Sequence, residues 1–337
     1  MPSKATAKDV ARRAGVSRSA VSMVLNGHGA GNIAADKQEA IRRAAAELAY
    51  QPNRAAVNLR RQRTHTIGVV TDAIASHAFA GALLTGAAEA ALARGYVPLV
   101  IDTGDDADRE RQAVATLNER QVDGFLFAAL SLRHWDLGDL TEAGTAVLAD
   151  AIDPTDRVAA FAPDEVAGGR TACRELIDHG HTKITALVGA AGSLAAERRW
   201  QGHRDAMREA GLKPGRPVRT GWTIREGYEA AQRVLDRPDR PTAIACANDR
   251  VAVGVVLAAL GLGLSVPGDL SVLGYDDDEN VAPEMAPALT TVALPHHAMG
   301  WQAMTRLLDV LDGGPDEPGL TLLPGPLIRR DSVAPPR

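Results

Sequence analysis

Arg18, Ser19, Ser22 and Met23 lie on the outward side of a short amphipathic segment whose Val21, Val24 and Leu25 turn inward at i, i+3 and i+4 spacing. On a helix short enough to enter a major groove, such side chains reach base edges. Arginine and serine do so by hydrogen bonds, methionine by touching a thymine methyl. A second set of polar residues follows short apolar runs that read as β-strands: Asp72 after TIGVV, Asn248 and Asp249 after TAIACA, and Asp276 after LSVLGY. Open α/β sheets bind small molecules just beyond the carboxyl ends of their strands. Asn248 or Asp249 could equally cap the helix that follows.

Other chemistries find little footing. There is no GxxxxGK[ST] phosphate loop, no GxSxG and no HExxH, and the first strand runs into TDAIASHAF rather than a GxGxxG turn. His179-Gly-His181 has no third ligand at metal spacing, so a structural role is expected. Two cysteines, Cys173 and Cys246, are too few for a disulfide framework, and Cys173 falls among apolar helical positions as a buried thiol. No catalytic residue, cofactor or metal ion is expected. His296-His297 reads as the start of a surface helix.

At 337 residues the chain is long enough for two or three domains. Hydrophobic residues make up 45% and charged residues 23%, a globular balance, but aromatics only 4%, so Ala, Val and Leu must build the interior. MPSKATAKDV has no apolar core of a secretory signal and no run of 18 apolar residues occurs, so a cytoplasmic protein without a membrane span is expected. Charge is unevenly spread. Residues 1–63 hold twelve Lys/Arg and four Asp/Glu, a net +8; with −5 for the whole chain, the remainder carries −13. A basic head on an acidic body suits a polyanion-binding module joined to something else.

The elements that would position these residues can be read in order. Thr6-Ala7-Lys8-Asp9 is a capping box opening a helix with Val10, Ala11 and Ala14 on one face. Gly15 turns the chain, Ser17 caps a second helix, and Asn26-Gly27 ends it. Asp36-Lys37-Gln38-Glu39 resembles another capping box, ahead of Ile41, Ala45 and Leu48. Two short helices about a glycine turn, then a third, make a helix-turn-helix. From Thr66 the pattern becomes strand–helix alternation. Candidate strands are 66–70, 97–101, 124–128, 145–149, 183–188, 242–246 and 270–274, with amphipathic stretches at 80–94, 165–179, 196–210 and 249–260. That is the signature of α/β lobes with a doubly wound parallel sheet, and so many strands fit two lobes better than one.

AKDVARRAGVSRSAVSMVLNG followed by IRRAAAELAYQPNRAAVNLRRQRTHTIGVV resembles the head of lac-repressor-type (LacI/GalR) transcription regulators. HGHTKITALVG, ERRWQGHRDAMREAGL, the long block from PTAIACANDR to LSVLGYDDDE, and PALTTVALP resemble the family's effector domain, which has the fold of type I periplasmic sugar-binding proteins. The resemblance implies a helix-turn-helix domain at 1–52, a hinge helix and linker at 53–65, and a two-lobed effector-binding and dimerisation domain at 66–337, with lobe crossings near 160, 292 and 320. It puts Arg18, Ser19 and Met23 at base edges, Ser17, Ser22 and Asn26 at phosphates, and Asn53 and Arg54 among the DNA-binding residues. Leu59 takes the place of the leucine wedge that enters the minor groove, although as an isolated residue it reads as an ordinary core leucine. Met23 stands where relatives commonly carry Arg, which implies an altered operator preference, and Ala34 and Lys37 replace the usual Ser and Thr.

In the body the resemblance implies that Arg199, Asn248 and Asp276 hydrogen-bond an effector; Asp72, by its place after the first strand, is a further candidate, and Phe79 and Trp222 could offer apolar faces to a sugar ring or base. A structural salt bridge for Arg199 and a core role for Trp222 are the alternatives. The implied function is a ligand-responsive repressor of sugar uptake or catabolic genes. It would bind a palindromic double-stranded DNA operator as a homodimer, with no leucine heptads for a tetramer. A sugar-binding transport component fits the body but not the basic head, and an enzyme is permitted by the fold alone.

Overall fold

A computed structural model describes residues 5–50, 63–74, 81–138 and 144–337. The chain divides into two compact units, residues 1–64 and 65–337.

The first unit holds α1 (Ala7–Ala14), α2 (Arg18–Leu25) and α3 (Ala35–Glu47). Val10, Val21, Val24, Ile41 and Ala44 close a small apolar core between them. At the start of α1 the Asp9 carboxylate accepts from the Thr6 backbone N–H (3.0 Å) and hydroxyl (2.6 Å), the expected capping box. Gly15 takes a left-handed φ of 67°, the turn that swings α2 across α1. The second capping box does not form. Helix α3 begins at Ala35, so Asp36 lies inside its first turn with no side-chain cap. Gln38 performs the tethering instead, its amide donating to the carbonyls of Gly29 (3.0 Å) and Ile33 (2.8 Å).

The second unit contains two six-stranded sheets. In chain order its elements are β1 (Thr66–Thr71), α4 (Gly81–Ala93), β2 (Val97–Asp102), α5 (Ala107–Glu119), β3 (Gly124–His134), β4 (Ala146–Ile152), β5 (Ala159–Pro163), α6 (Glu165–Asp178), β6 (Ile184–Val188), α7 (Leu194–Glu209), β7 (Val218–Arg219), α8 (Ile224–Leu235), β8 (Ala243–Ala245), α9 (Asp249–Gly261), β9 (Ser271–Asp276), β10 (Thr290–Ala293), α10 (His296–Leu311), β11 (Gly319–Leu323) and β12 (Leu327–Ile328). The first sheet runs β11-β5-β4-β3-β1-β2 and is wholly parallel; the second runs β12-β10-β9-β8-β6-β7, with only β12 antiparallel. All seven candidate strands are present, and β5, β7, β10, β11 and β12 join them. The chain passes between lobes after β5, β10 and β11, a few residues beyond the expected 160, 292 and 320.

Strand order reverses beside β1 in one sheet and beside β6 in the other. Such switch points open a crevice at the strands' carboxyl ends. Asp72 follows β1, and the segment after β8 carries Asn248.

Three helix pairs hold the lobes at very short range. Helix α6 packs on α7, α4 on α10, and α8 on α9. In each pair a glycine from both partners sits at the crossing. A Cβ on Gly169 would collide with the Arg199 carbonyl, and one on Gly202 with the Val166 carbonyl. Gly86 and Gly300 stand likewise against α10 and α4, and Gly227 and Gly254 against α9 and α8. Helix α10 does begin at His296, but it is not a surface helix: His296 is buried, and Met299, Ala303, Met304, Leu307 and Leu308 enter the core of the first lobe. Its apolar i, i+4 stripe outweighs the polar His pair at its start.

Candidate functional site

In the first unit Ser17 caps α2, its Oγ accepting from the Ala20 N–H at 3.2 Å and lying 2.9 Å from Ser19 Oγ. Arg18, Ser19 and Ser22 are exposed on one side of α2, while Met23 and Asn26 are half-buried. Asn26 donates to Ser22 Oγ at 3.1 Å. The inward stripe Val21–Val24 orients this face, and Arg13 pairs with Glu47 at 2.8 Å to tie α1 to α3. Asn53, Arg54 and Leu59 lie outside the described residues.

In the second unit a cluster of ionisable groups gathers where the lobes face each other. Glu165 opens α6 directly after the first crossing, and Arg199 projects from α7. The bare surfaces of Gly169 and Gly202 let those helices approach closely enough for the two side chains to meet. Arg199 Nε and Nη2 donate to the two carboxylate oxygens of Glu165 at 2.7 and 2.8 Å, and Nη1 donates to the Ala247 carbonyl at 2.7 Å. The guanidinium also lies 3.7 Å above the Tyr275 ring and 3.6 Å from Asp276 Oδ1. Burial alone would lower its pKa; the charge and hydrogen bonds of Glu165 raise it far above the usual value.

Asp276 ends β9 with φ at 114°, a conformation costly for a side chain that carries a Cβ. Burial drives its carboxyl well above the ordinary range, against the pull of Arg199. Across the cleft, Asp150 on β4 is 1% exposed, has φ at 54°, and its Oδ1 has no hydrogen-bond partner. Burial, reinforced by the charge of Glu165, raises its pKa well above normal. His296 Nε2 lies 3.9 Å from Asp150 Oδ2, and burial brings that imidazole down to about 4, so it is neutral at pH 7. A cavity of about 460 Å³ opens beside Asp276 and His296, lined also by Thr85 and Asp277.

The remaining expected residues divide. Asp72 is buried, and its Oδ1 accepts from the N–H groups of Ala73 (2.6 Å) and Leu130 (2.9 Å), so it holds β3 where its register shifts between Ala128 and Arg133, as well as facing Arg133 at 3.6 Å. Asn248 caps α9, with Oδ1 accepting from Val251 N–H at 2.8 Å while its amide donates to the Trp222 carbonyl at 3.2 Å. Trp222 is half-buried, its ring seated on the bare backbone of Gly189. Phe79 lies outside the described residues. Sequence reading missed Asp150, Glu165, Tyr275 and His296. Only Asp150 and Tyr275 carried a signal: Asp150 directly follows the TAVLA run as Asp72 follows TIGVV, and Tyr275 sits within the LSVLGYD block.

Nearby polar groups are structural. His181 contacts Thr242 Oγ1 (2.9 Å), Ser271 Oγ (3.0 Å) and the Ala334 carbonyl (2.9 Å), strapping the end of the chain under the second sheet, as expected of that Gly-His pair. Burial pushes the Cys173 thiol up to about 12, an inert sulfhydryl. Among the described residues no helix is long and apolar enough to cross a membrane.

Residues 6–53 match the family of bacterial regulatory proteins named for lacI, and residues 173–333 match the periplasmic binding protein-like domain. The HTH-type transcriptional repressor PurR of Serratia proteamaculans is 33% identical over 98% of this chain and 97% of its own length. The chain belongs to the lacI family. The ribose operon repressor of Haemophilus influenzae is likewise 33% identical over 98% of both chains. Among solved family structures, a lac repressor dimer bound to operator and an anti-inducer superposes with a TM-score of 0.83 at 28% identity, covering 98% of this chain and all of that one. As a family member the chain is a DNA-binding transcriptional regulator, and the transport reading falls away because its full-length relatives are repressors.

Proposed function

We propose that this protein is a cytoplasmic, non-catalytic repressor that grips a palindromic operator as a homodimer and adjusts that grip to a small effector. The observation that carries the reading is the exposed Arg18–Ser19–Ser22 face of a capped, rigidly packed α2, set in a head of net charge +8. Arg18, Ser19 and Met23 would meet base edges, and Ser17, Ser22 and Asn26 phosphates. Asn53 and Arg54 would continue the contact, and Leu59 would wedge the minor groove between two hinge helices at 53–65. Homodimerisation is supported by unpartnered apolar side chains on both lobes, Leu92, Val97 and Val100 on the first and Leu257, Leu260 and Leu262 on the second.

The effector, a sugar or sugar derivative, would sit between the lobes among Asp72, Phe79, Arg199, Trp222, Asn248 and Asp276. Effector and operator are then coupled: each alters the other's affinity by the same factor, typically about 5–150-fold. The test is an anisotropy titration of the full chain against genomic fragments and a random competitor. Specific binding that weakens steeply with salt is expected, because phosphate contacts release counterions. Equal affinity for all DNA, or a flat salt dependence, overturns the reading.

A further inference from the structure

Asp249 opens α9, is fully buried, and forms no ion pair with any cation among the described residues. Its Oδ1 accepts from the Thr291 hydroxyl at 2.6 Å and its Oδ2 from the Asp278 N–H at 2.8 Å. Strand β9 makes room for it, since a Cβ on Gly274 would collide with Oδ1. The Asp278 N–H belongs to the turn that leaves β9, where Asp276 and Asp277 take successive positive φ values of 114° and 56°. Two further bonds tie that turn down. Arg330 donates to Asp277 at 2.7 Å, and the Asp276 carbonyl accepts from the Leu294 N–H at 3.1 Å, where the chain leaves β10 for the other lobe. Two neighbouring residues with a Cβ at positive φ are costly, so the bonds that close this turn decide whether it stays closed.

The charges that act most on Asp249 are of its own sign, those of Asp277 and Asp278 in the turn, and it faces Asp276 at the end of β9. The Cys246 thiol after β8 is kept protonated by burial. Strand β10 offers the Thr291 hydroxyl, α8 meets α9 at Gly227 and the Val251 backbone, and Arg330 is committed to Asp277 and the Leu289 carbonyl. Burial, the largest influence, raises the Asp249 carboxyl to about 7 against the pull of its two donors.

We infer that Asp249 is a proton-operated latch on the turn at 276–278: protonated, it keeps the turn closed; ionised, it favours an open turn in which water reaches the carboxylate. This rests on the effector site proposed above, because the turn presents Asp276 to Arg199, and it names a regulation of that site. The protonated carboxyl keeps both contacts, since the Thr291 hydroxyl can reverse and accept from it while the other oxygen still accepts from Asp278. The direction follows from linkage. Hydration in the open turn returns Asp249 toward the ordinary carboxylate range near 4, so the closed turn binds the proton more tightly and deprotonation favours opening. Opening therefore grows as pH rises from about 4 to about 7 and levels off above that.

The experiment is hydrogen exchange of the full-length protein, read by mass spectrometry on peptides spanning 275–281 from about pH 5.5 to 8.5 and divided by the intrinsic exchange rate. The opening equilibrium is expected to rise severalfold, at most about tenfold, per pH unit up to about pH 7 and then to level off. Asp276→Asn removes the other buried carboxyl of the turn and should keep the rise; adding Asp249→Asn should abolish it. Thr291→Val strips one donor from the ionised form and should move the levelling point up by about one pH unit. A flat or falling profile in Asp276→Asn, or the same rise with and without Asp249→Asn, overturns the latch. Should either Asn variant not fold, an unmoved levelling point in Thr291→Val overturns it. Absence of specific operator binding by the wild-type protein at every pH would instead count against the regulatory reading, and the exchange profile would still decide the latch.

Discussion

Glu165→Gln tests the electrostatic centre of the cleft. The pair it breaks is bidentate at 2.7 and 2.8 Å, with side chains only 1% (Glu165) and 12% (Arg199) exposed. Two unit charges 4 Å apart interact by about 4 kcal/mol at an effective dielectric near 20, and removing one member of a buried pair typically costs about 3–5 kcal/mol. Part of this is recovered, because Arg199 keeps the Ala247 carbonyl and the Tyr275 ring and can close its 3.6 Å gap to Asp276. A loss of about 3 kcal/mol is therefore expected. Urea unfolding at fixed protein concentration, followed by tryptophan fluorescence, reads it as a lower midpoint at unchanged slope. The double variant Glu165→Gln/Arg199→Met should recover most of the loss, since no cation is stranded, the buried Asp276 carboxyl is pushed further up and protonates once Arg199 is gone, and methionine can lie on Tyr275. Losses that simply add in the double variant would show that the pair is not coupled and would refute the argument.

Acid should destabilise the second unit through its buried imidazoles. His203 and His296 fall from an ordinary 6.5 to about 4, chiefly by burial, so the stability gained from their neutrality is complete above pH 6.5 and lost as pH falls through 4. Asp249, raised to about 7 by burial, acts oppositely, losing its contribution as pH rises from about 4 through 7, and Asp150 and Asp276, also raised by burial, act in the same sense. Each histidine shift corresponds to about 3 kcal/mol, so between pH 6.5 and 4 the wild-type melting temperature should fall relative to that of His203→Asn; an identical acid limb in that variant would remove His203 from the account. Gly202→Ala should cost about 2 kcal/mol or more, because the new methyl meets the Val166 carbonyl, whereas Gly261→Ala, facing open space at the end of α9, should be neutral or slightly stabilising. Equal melting temperatures for the two alanine variants would contradict the close helix contact.

Local signals read well and pairings across distance did not. The Thr6–Asp9 box, the Ser17 cap and the inward Val21–Val24 stripe follow from spacing within one turn of helix, and the α2 face was legible because of them. The Asp36 box failed because Gln38, nine residues from Gly29, had already anchored the start of α3 through the preceding loop. The short strands β7 and β12, two residues each, carry no periodicity at all, and β5, β10 and β11 are recognisable chiefly by the sheets they complete.

The cleft shows why polar sites divide the same way. Asn248 could be read as a helix cap from its own neighbours, and it is one. Arg199 could be placed at the site, but not its partner: Glu165 is 34 residues away on another helix, and nothing in its surroundings marks it as buried. The link is made by Gly169 and Gly202, which look unremarkable inside helical stretches where glycine is a poor choice. Their cost in helix propensity, about 1 kcal/mol each against alanine, is the trace they leave in the sequence. The same trace recurs at Gly86 with Gly300 and at Gly227 with Gly254. A glycine in the middle of a helix, kept against its propensity, therefore marks a contact too close for a side chain, and in α6 and α7 that contact delivers both charges to the cleft.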